Sequence, residues 1–217
     1  MCWRFVRQGE EISEPFRNTM RILIADDHEM IRTGLRSILH RREEWEIVGE
    51  AVNGEEAVTL AVQTDPHIAL IDYHMPLVNG LEVTRDVRTR LPGTEVVMFT
   101  MQVDPGIVAK AFEAGAKGYV AKSDANKHLL LAVESLAAHR PYVSERIAAR
   151  LAQSFHSGMT QLNHLTPGER VVSQLICDQH IDQDIAILLN VSVQSVENFR
   201  SRLTKRKGAD KEPVQIK

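Results

Sequence analysis

Cysteine is scarce in this chain. Cys2 and Cys177 are the two in 217 residues, far apart and without a partner at metal-ligand spacing. No disulfide framework or structural zinc site is suggested, which suits a reducing cytoplasm. The nine histidines are scattered and read as surface or packing residues. No apolar run approaches the ~20 residues of a bilayer span, so no membrane association is expected. The first residues lack the apolar stretch of ~7–15 that a secretory signal needs. A formal net charge of −3 gives no globally basic surface, so any nucleic-acid contact has to be local. There is no Ser-His-Asp arrangement, Gly-rich phosphate loop, deaminase motif, repeat or low-complexity tract. With 43% hydrophobic and 25% charged residues, the composition is that of an ordinary soluble protein. The length suits one large domain or two small ones.

Polar residues stand at the ends of short apolar runs. Arg21-Ile22-Leu23-Ile24-Ala25 runs into Asp26-Asp27, and Ile68-Ala69-Leu70-Ile71 into Asp72. Glu95-Val96-Val97-Met98-Phe99 runs into Thr100, and Gly118-Tyr119-Val120-Ala121 into Lys122. Such runs, bounded by turn signals, read as buried strands. In an open parallel sheet the crevice lies at the carboxyl ends of the strands, where these residues fall.

Helical patterns separate the strands, over about 29–40, 55–63, from Gly80 to Leu91, 105–114, and after a cap at Asp124. A further strand is expected over 45–52. Five strands alternating with five helices predict a doubly wound parallel sheet with right-handed crossovers. Beyond His139 the alternation stops. Arg140 to Val143 reads as an extended joint, and Ser144 as the cap of a helix carrying Ile147, Leu151 and Phe155 on one stripe. The last ~55 residues read as all-helical: Thr166-Pro167-x-Glu169 opens one helix, a short one spans about 182–189, and Ser192 caps a third that ends at Gly208. Two helices on a tight turn form a helix-turn-helix. The expected division is a tail over 1–19, a first domain over 20–139, a linker with one helix over 140–162, and a helical domain over 163–217. Met20, just before the first strand, offers an alternative translation start.

Taken singly, an aspartate at a strand end caps a helix or faces solvent. Three of them converging with Thr100 and Lys122 point to a site, because bare carboxylates so close repel one another. A hard divalent cation such as Mg²⁺ resolves that repulsion. With the charge neutralised, Asp72 can attack phosphorus and form an aspartyl phosphate, aided by the Lys122 ammonium and a Thr100 hydrogen bond.

Asp26-Asp27-His28, Asp72-x-x-Met75-Pro76, Gly80, Thr100 and Lys122 resemble the motif set of a response-regulator receiver domain. That resemblance implies a flavodoxin-like fold and phosphorylation of Asp72 by a sensor histidine kinase. It also implies Mg²⁺ held by Asp27, Asp72 and the His74 carbonyl, with Asp26 assisting through water, and a switch pair of Thr100 and Tyr119. Alone, Tyr119 reads equally as an aromatic half-buried on a strand. The receiver is a phosphoryl acceptor rather than an enzyme, with at most slow self-dephosphorylation. Ser123 departs from the proline common after the lysine.

Leu165-Thr166-Pro167, Ile185-Ala186, Val191-Ser192, Ser195-Val196 and Arg200-Ser201-Arg202-Leu203 resemble the LuxR-type helix-turn-helix. Together the two parts resemble the NarL/FixJ family, which implies a phosphorylation-controlled transcription factor that pairs as a homodimer, through the surface near 105–114 and 124–137. Gln194, Ser195, Glu197 and Asn198 would enter the major groove, whereas Arg200, Ser201, Arg202, Lys205 and Arg206 would meet the DNA backbone. Residues 160–217 carry eight Lys/Arg against seven Asp/Glu, a weak balance for an affinity that rests on phosphate neutralisation. Gln179, Ile181, Glu197 and Lys207 depart from the pattern, in which a glycine, a small polar cap, a lysine and a leucine are usual. The alternative is a receiver whose degenerate helical domain signals through a protein partner, or one that serves as a phosphate sink.

Overall fold

The computed structural model describes residues 19–157 and 165–209, with side chains of the last helix described through Thr204. Expectations for residues 1–18 and 158–164, and for the side chains of Lys205, Arg206 and Lys207, lie outside the described residues. The chain runs β1 (Met20–Ala25), α1 (Glu29–Leu39), β2 (Trp45–Ala51), α2 (Gly54–Thr64), β3 (Ile68–Ile71) and α3 (Gly80–Arg90). It continues through β4 (Glu95–Thr100), α4 (Pro105–Glu113), β5 (Gly118–Ala121), α5 (Ala125–Ala137) and β6 (Tyr142–Val143). Four helices follow: α6 (Glu145–Ser157), α7 (Pro167–Cys177), α8 (Asp182–Leu189) and α9 (Val193–Ala209).

The strands form one parallel sheet in the order β2-β1-β3-β4-β5-β6. The order reverses between β1 and β3, the switch point where a crevice opens at the carboxyl ends. Asp26 and Asp72 follow those two strands directly. The sheet carries one strand beyond the five expected. The joint after α5 pairs with β5, Gly118 opposite Tyr142 and Tyr119 opposite Val143, because its extended backbone finds free hydrogen-bonding groups on the β5 edge.

Alternation along the strands divides the core. Ile22, Ile24, Leu70, Val97 and Phe99 pack against α1 and α5 through Leu35, Leu39, Leu129 and Val133. Leu23, Ala69, Ile71, Met98 and Tyr119 face the opposite way, toward Ala57, Val83, Val87, Val108 and Phe112 of α2, α3 and α4. All are essentially sealed from water. Each large apolar side chain so buried is worth roughly 1.5–3 kcal/mol.

Caps fix where helices begin, and two differ from expectation. Thr166 and Glu169 form the reciprocal capping box, with Pro167 in the first turn, and Ser192 Oγ accepts from Ser195 N at 3.1 Å. Asp124 occupies the cap position of α5, but its carboxylate accepts from Ser123 Oγ instead of the helix. Ser144 turns the chain into α6 with its carbonyl, which accepts from Ile147 and Ala148; its hydroxyl is buried without a hydrogen bond. The sheet edge, not a side-chain cap, places this turn, since Ser144 N donates to the Tyr119 carbonyl at 3.1 Å.

The helical part has its own centre, where Phe155 meets Phe199 edge-on at 5.5 Å. Gly168 lies so close to α6 that a Cβ there would come within 2.3 Å of the Leu151 carbonyl oxygen. Helix α7 packs along α4. Lys117 pairs with Asp178 across this junction, Arg170 reaches Glu113 at 3.4 Å, and Arg150 donates to the Val103 carbonyl at 3.3 Å. The α4 part of the expected pairing surface is therefore in contact with α7 here.

Candidate functional site

Three strand ends converge. Lys122 Nζ, from the end of β5, lies 2.6 Å from Asp26 Oδ2 and 2.9 Å from Asp72 Oδ2. The three side chains are 6%, 1% and 4% exposed, so the ammonium bridges two carboxylates that water hardly reaches. Asp72 Oδ1 accepts from Tyr73 N at 2.8 Å. Burial pushes the Asp72 carboxyl above its ordinary value; Lys122 and the Tyr73 amide pull against that rise, and the Asp26 charge adds to it.

Asp27 is exposed at the mouth, and His28 Nδ1 lies 2.6 Å from its Oδ1. One ligand atom from each of Asp26, Asp27, His28 and Asp72 lies within 4.8 Å of the others, a cluster with the donors of a cation site. Asp26 Oδ2 is buried and accepts no well-formed hydrogen bond, with Lys122 as its neighbouring cation. Three carboxylates suit a hard ion such as Mg²⁺. His28 was not read as a candidate ligand from the sequence, although its place directly after paired aspartates was a signal. His74 lies in the exposed loop after β3, in edge-on contact with the Tyr73 ring.

The backbone around the site is tightly fitted. A Cβ at Gly80 would lie 2.0 Å from the Asp72 carbonyl oxygen, so only glycine admits the loop that returns to α3. Arg32, buried in α1, donates to the Asp26 carbonyl at 2.8 Å and pairs with Glu29 and Glu50. It fixes the peptide that aims Asp26, and the sequence reading did not single it out.

Thr100 and Tyr119 are both buried, at 1% and 0% exposure. Thr100 Oγ1 accepts from Gln102 N at 3.3 Å, and the Tyr119 hydroxyl donates to the Gln102 carbonyl at 3.1 Å. Burial pushes the Tyr119 phenol well above its ordinary value, so it remains a donor.

In the helical part, Gln194, Glu197, Asn198 and Ser201 are exposed along α9, and Ser195 is half-buried. Gln194 Nε2 donates to Asn198 Oδ1 at 3.3 Å. The two arginines expected at phosphates are engaged within the fold. Arg200 Nε donates to Asp182 Oδ1 at 3.0 Å, and Arg202 pairs with the buried Glu169 at 3.4 Å while lying over the Phe199 ring.

A family profile described as the response regulator receiver domain matches residues 22–134. The nitrate/nitrite response regulator NarL of Escherichia coli K12 is 32% identical over 189 residues, 85% of this chain and 88% of its own. A solved two-component response regulator of the LuxR family from Aurantimonas sp. SI85-9A1 is 38% identical, with a TM-score of 0.60 over 63% of this chain and 97% of that one. The RcsB response regulator of Salmonella typhimurium shares the fold at 23% identity, with a TM-score of 0.60 over 88% of this chain and 93% of its own.

Proposed function

This chain belongs to the two-component response regulators, of the NarL/FixJ type with a receiver and a LuxR-type helical domain, and from that premise we propose its working parts. Residues 20–139 are the receiver, 140–162 the linker and 163–217 the DNA-binding domain. Asp72 accepts a phosphoryl group from a cognate sensor histidine kinase in the cytoplasm. The observation that carries this is the buried Lys122 ammonium bridging Asp26 and Asp72 at the switch point.

A carboxylate oxygen of Asp72 forms the new P–O bond as the P–N bond to the kinase imidazole breaks, the electron pair leaving on that nitrogen. Lys122 neutralises charge gathering on the phosphoryl oxygens. Asp26, Asp27 and Asp72 would hold Mg²⁺ with the His74 carbonyl, and the bound ion supplies further charge neutralisation and orientation. Thr100 turns its hydroxyl from Gln102 toward the phosphoryl group, and Tyr119 answers through the Gln102 carbonyl. The chain is an acceptor with at most slow hydrolysis of its own acyl phosphate.

The output is DNA binding by a homodimer, with Gln194, Ser195, Glu197 and Asn198 facing base edges. Gln194 and Asn198 suit adenine and Glu197 cytosine N4. Ser201, Lys205 and Arg206 are assigned to phosphate contact, whereas Arg200 and Arg202 are held by Asp182 and Glu169. A second reading, output to a protein partner or a phosphate-sink role, draws on the same two arginines being neutralised by Asp182 and Glu169. Selection of genomic DNA fragments on the full chain, with and without acetyl phosphate, separates the two. Enrichment of a paired half-site supports a transcription factor; weak, sequence-blind retention favours the protein partner or the sink.

A further inference from the structure

Helix α6 carries two arginines one turn apart, Arg146 and Arg150, and residues so spaced share a face. Both guanidinium groups reach residues beside the acceptor site. Arg150 Nη1 donates to the Val103 carbonyl at 3.3 Å, and Arg146 Nη2 donates to Ser123 Oγ at 3.5 Å. Val103 follows Gln102, the residue that Thr100 and Tyr119 both hold. Ser123 follows Lys122, whose ammonium bridges Asp26 and Asp72. One face of the linker helix therefore touches both the segment that Thr100 must leave and the turn that carries Lys122.

Ser123 makes the second contact possible. The proline common after the lysine has no side-chain acceptor for Arg146, whereas Ser123 accepts from Arg146 and donates to Asp124 Oδ1 at 3.0 Å. The two arginines do not seat α6. Its place comes from β6 on the β5 edge, from Ser144 N on the Tyr119 carbonyl, and from the buried Ile147, Leu151 and Phe155. Lys127 also pairs with Glu145 at 2.8 Å, fastening the first turn of α6 to α5. The helix is a fixed support, and the arginines are exposed arms that reach from it to the site.

We infer that the linker helix braces the acceptor site through Arg146 and Arg150 and thereby slows phosphoryl acceptance. Thr100 Oγ1 accepts from Gln102 N and must give up that bond to turn toward a phosphoryl group. Arg150, by holding the Val103 carbonyl, keeps Gln102 N beside that oxygen. Arg146 acts in the same sense on the Lys122–Ser123 turn, limiting how far the ammonium can shift from the two carboxylates toward phosphoryl oxygens. Both are positioning residues, acting through Val103 and Ser123. The inference deepens the proposed function and rests on it for the rate, but not for the bracing.

The test uses the full chain with Arg150→Ala, Arg146→Ala, the double variant and Arg150→Lys. Alanine suits exposed helix positions, so these variants should melt with the wild type. Amide exchange without phosphodonor should rise over 101–104 in Arg150→Ala and over 122–125 in Arg146→Ala. The rise should be about two- to tenfold, the effect of losing one hydrogen bond. With acetyl phosphate and Mg²⁺, the double variant should be labelled faster than the wild type by about the same factor. Arg150→Lys keeps a donor at that position and should fall between Arg150→Ala and the wild type. Wild-type exchange in the double variant would overturn the inference, and so would raised exchange with labelling no faster than wild type. Loss of labelling in every chain, wild type included, would instead end the Asp72 reading, and exchange alone would then decide the bracing.

Discussion

Thr100 and Tyr119 hold the same residue from its two sides: Thr100 Oγ1 accepts from Gln102 N at 3.3 Å, and the Tyr119 hydroxyl donates to the Gln102 carbonyl at 3.1 Å. Gln102 begins the segment leading to α4, so these bonds join the acidic cluster to the helix that meets α7. Tyr119→Phe removes one of them, at about 0.5–1.5 kcal/mol. Amide exchange of the segment before α4 should rise in the unphosphorylated variant, and phosphodonor should change it less than in the wild type. Exchange identical to wild type in both states would show that the phenol transmits nothing.

Asp72 carries a cost in stability. Its folded-state carboxyl lies above the ordinary value, chiefly through burial, so the folded chain holds that proton more tightly than the unfolded one. The associated stability is full below the ordinary carboxylate value and is lost as pH rises through the raised one. At neutral pH, Asp72→Asn should therefore melt above the wild type in chelator, and its advantage should shrink as pH falls. An Asn variant that melts lower at neutral pH, or gains as pH falls, contradicts this account.

Arg200 and Arg202 serve the fold of the helical domain. Glu169 is 3% exposed, so Arg202→Ala leaves a buried carboxylate short of a partner, at about 1–3 kcal/mol. The Arg200–Asp182 pair is more exposed, and its loss should cost no more than about 1 kcal/mol. Denaturant melts should rank the variants in that order. The salt slope of DNA binding should fall by less than the ~1 expected when a phosphate contact is removed. A full drop for each arginine would mean that they leave their carboxylates on DNA.

Two positions in the α7–α8 connection are poorly matched to their geometry. Gln179 adopts φ +65°, a left-handed conformation that glycine takes without penalty. Ile181 occupies the cap position of α8 and offers no side-chain acceptor. Gln179→Gly should stabilise the domain by about 1 kcal/mol and Ile181→Ser by about 0.5–2 kcal/mol, read as additive rises in melting temperature.

The receiver was legible because its signals are local. Ile68 to Ile71 ending on Asp72 announces a buried strand and its exposed end, and the acidic, hydroxyl and amine residues fall at successive ends by topology alone. Contacts that depend on packing were less visible. Tyr142–Val143 is too short to read as a strand and becomes one only because β5 leaves an open edge. Arg200 looked free in a basic run, since nothing in the sequence shows that Asp182 lies across the turn from it. His28 and Arg32 were hidden for the same reason: their importance lies in how close they sit to Asp27 and to the Asp26 carbonyl.

The most direct measurement is the intact mass of the full chain after incubation with acetyl phosphate and Mg²⁺, followed by peptide mapping. One base-labile, hydroxylamine-sensitive phosphoryl group should appear on Asp72, be absent from Asp72→Asn, and be much reduced when chelator replaces the metal. Labelling that persists in Asp72→Asn, or maps elsewhere in the wild type, would contradict the assignment of Asp72 as the phosphoryl acceptor.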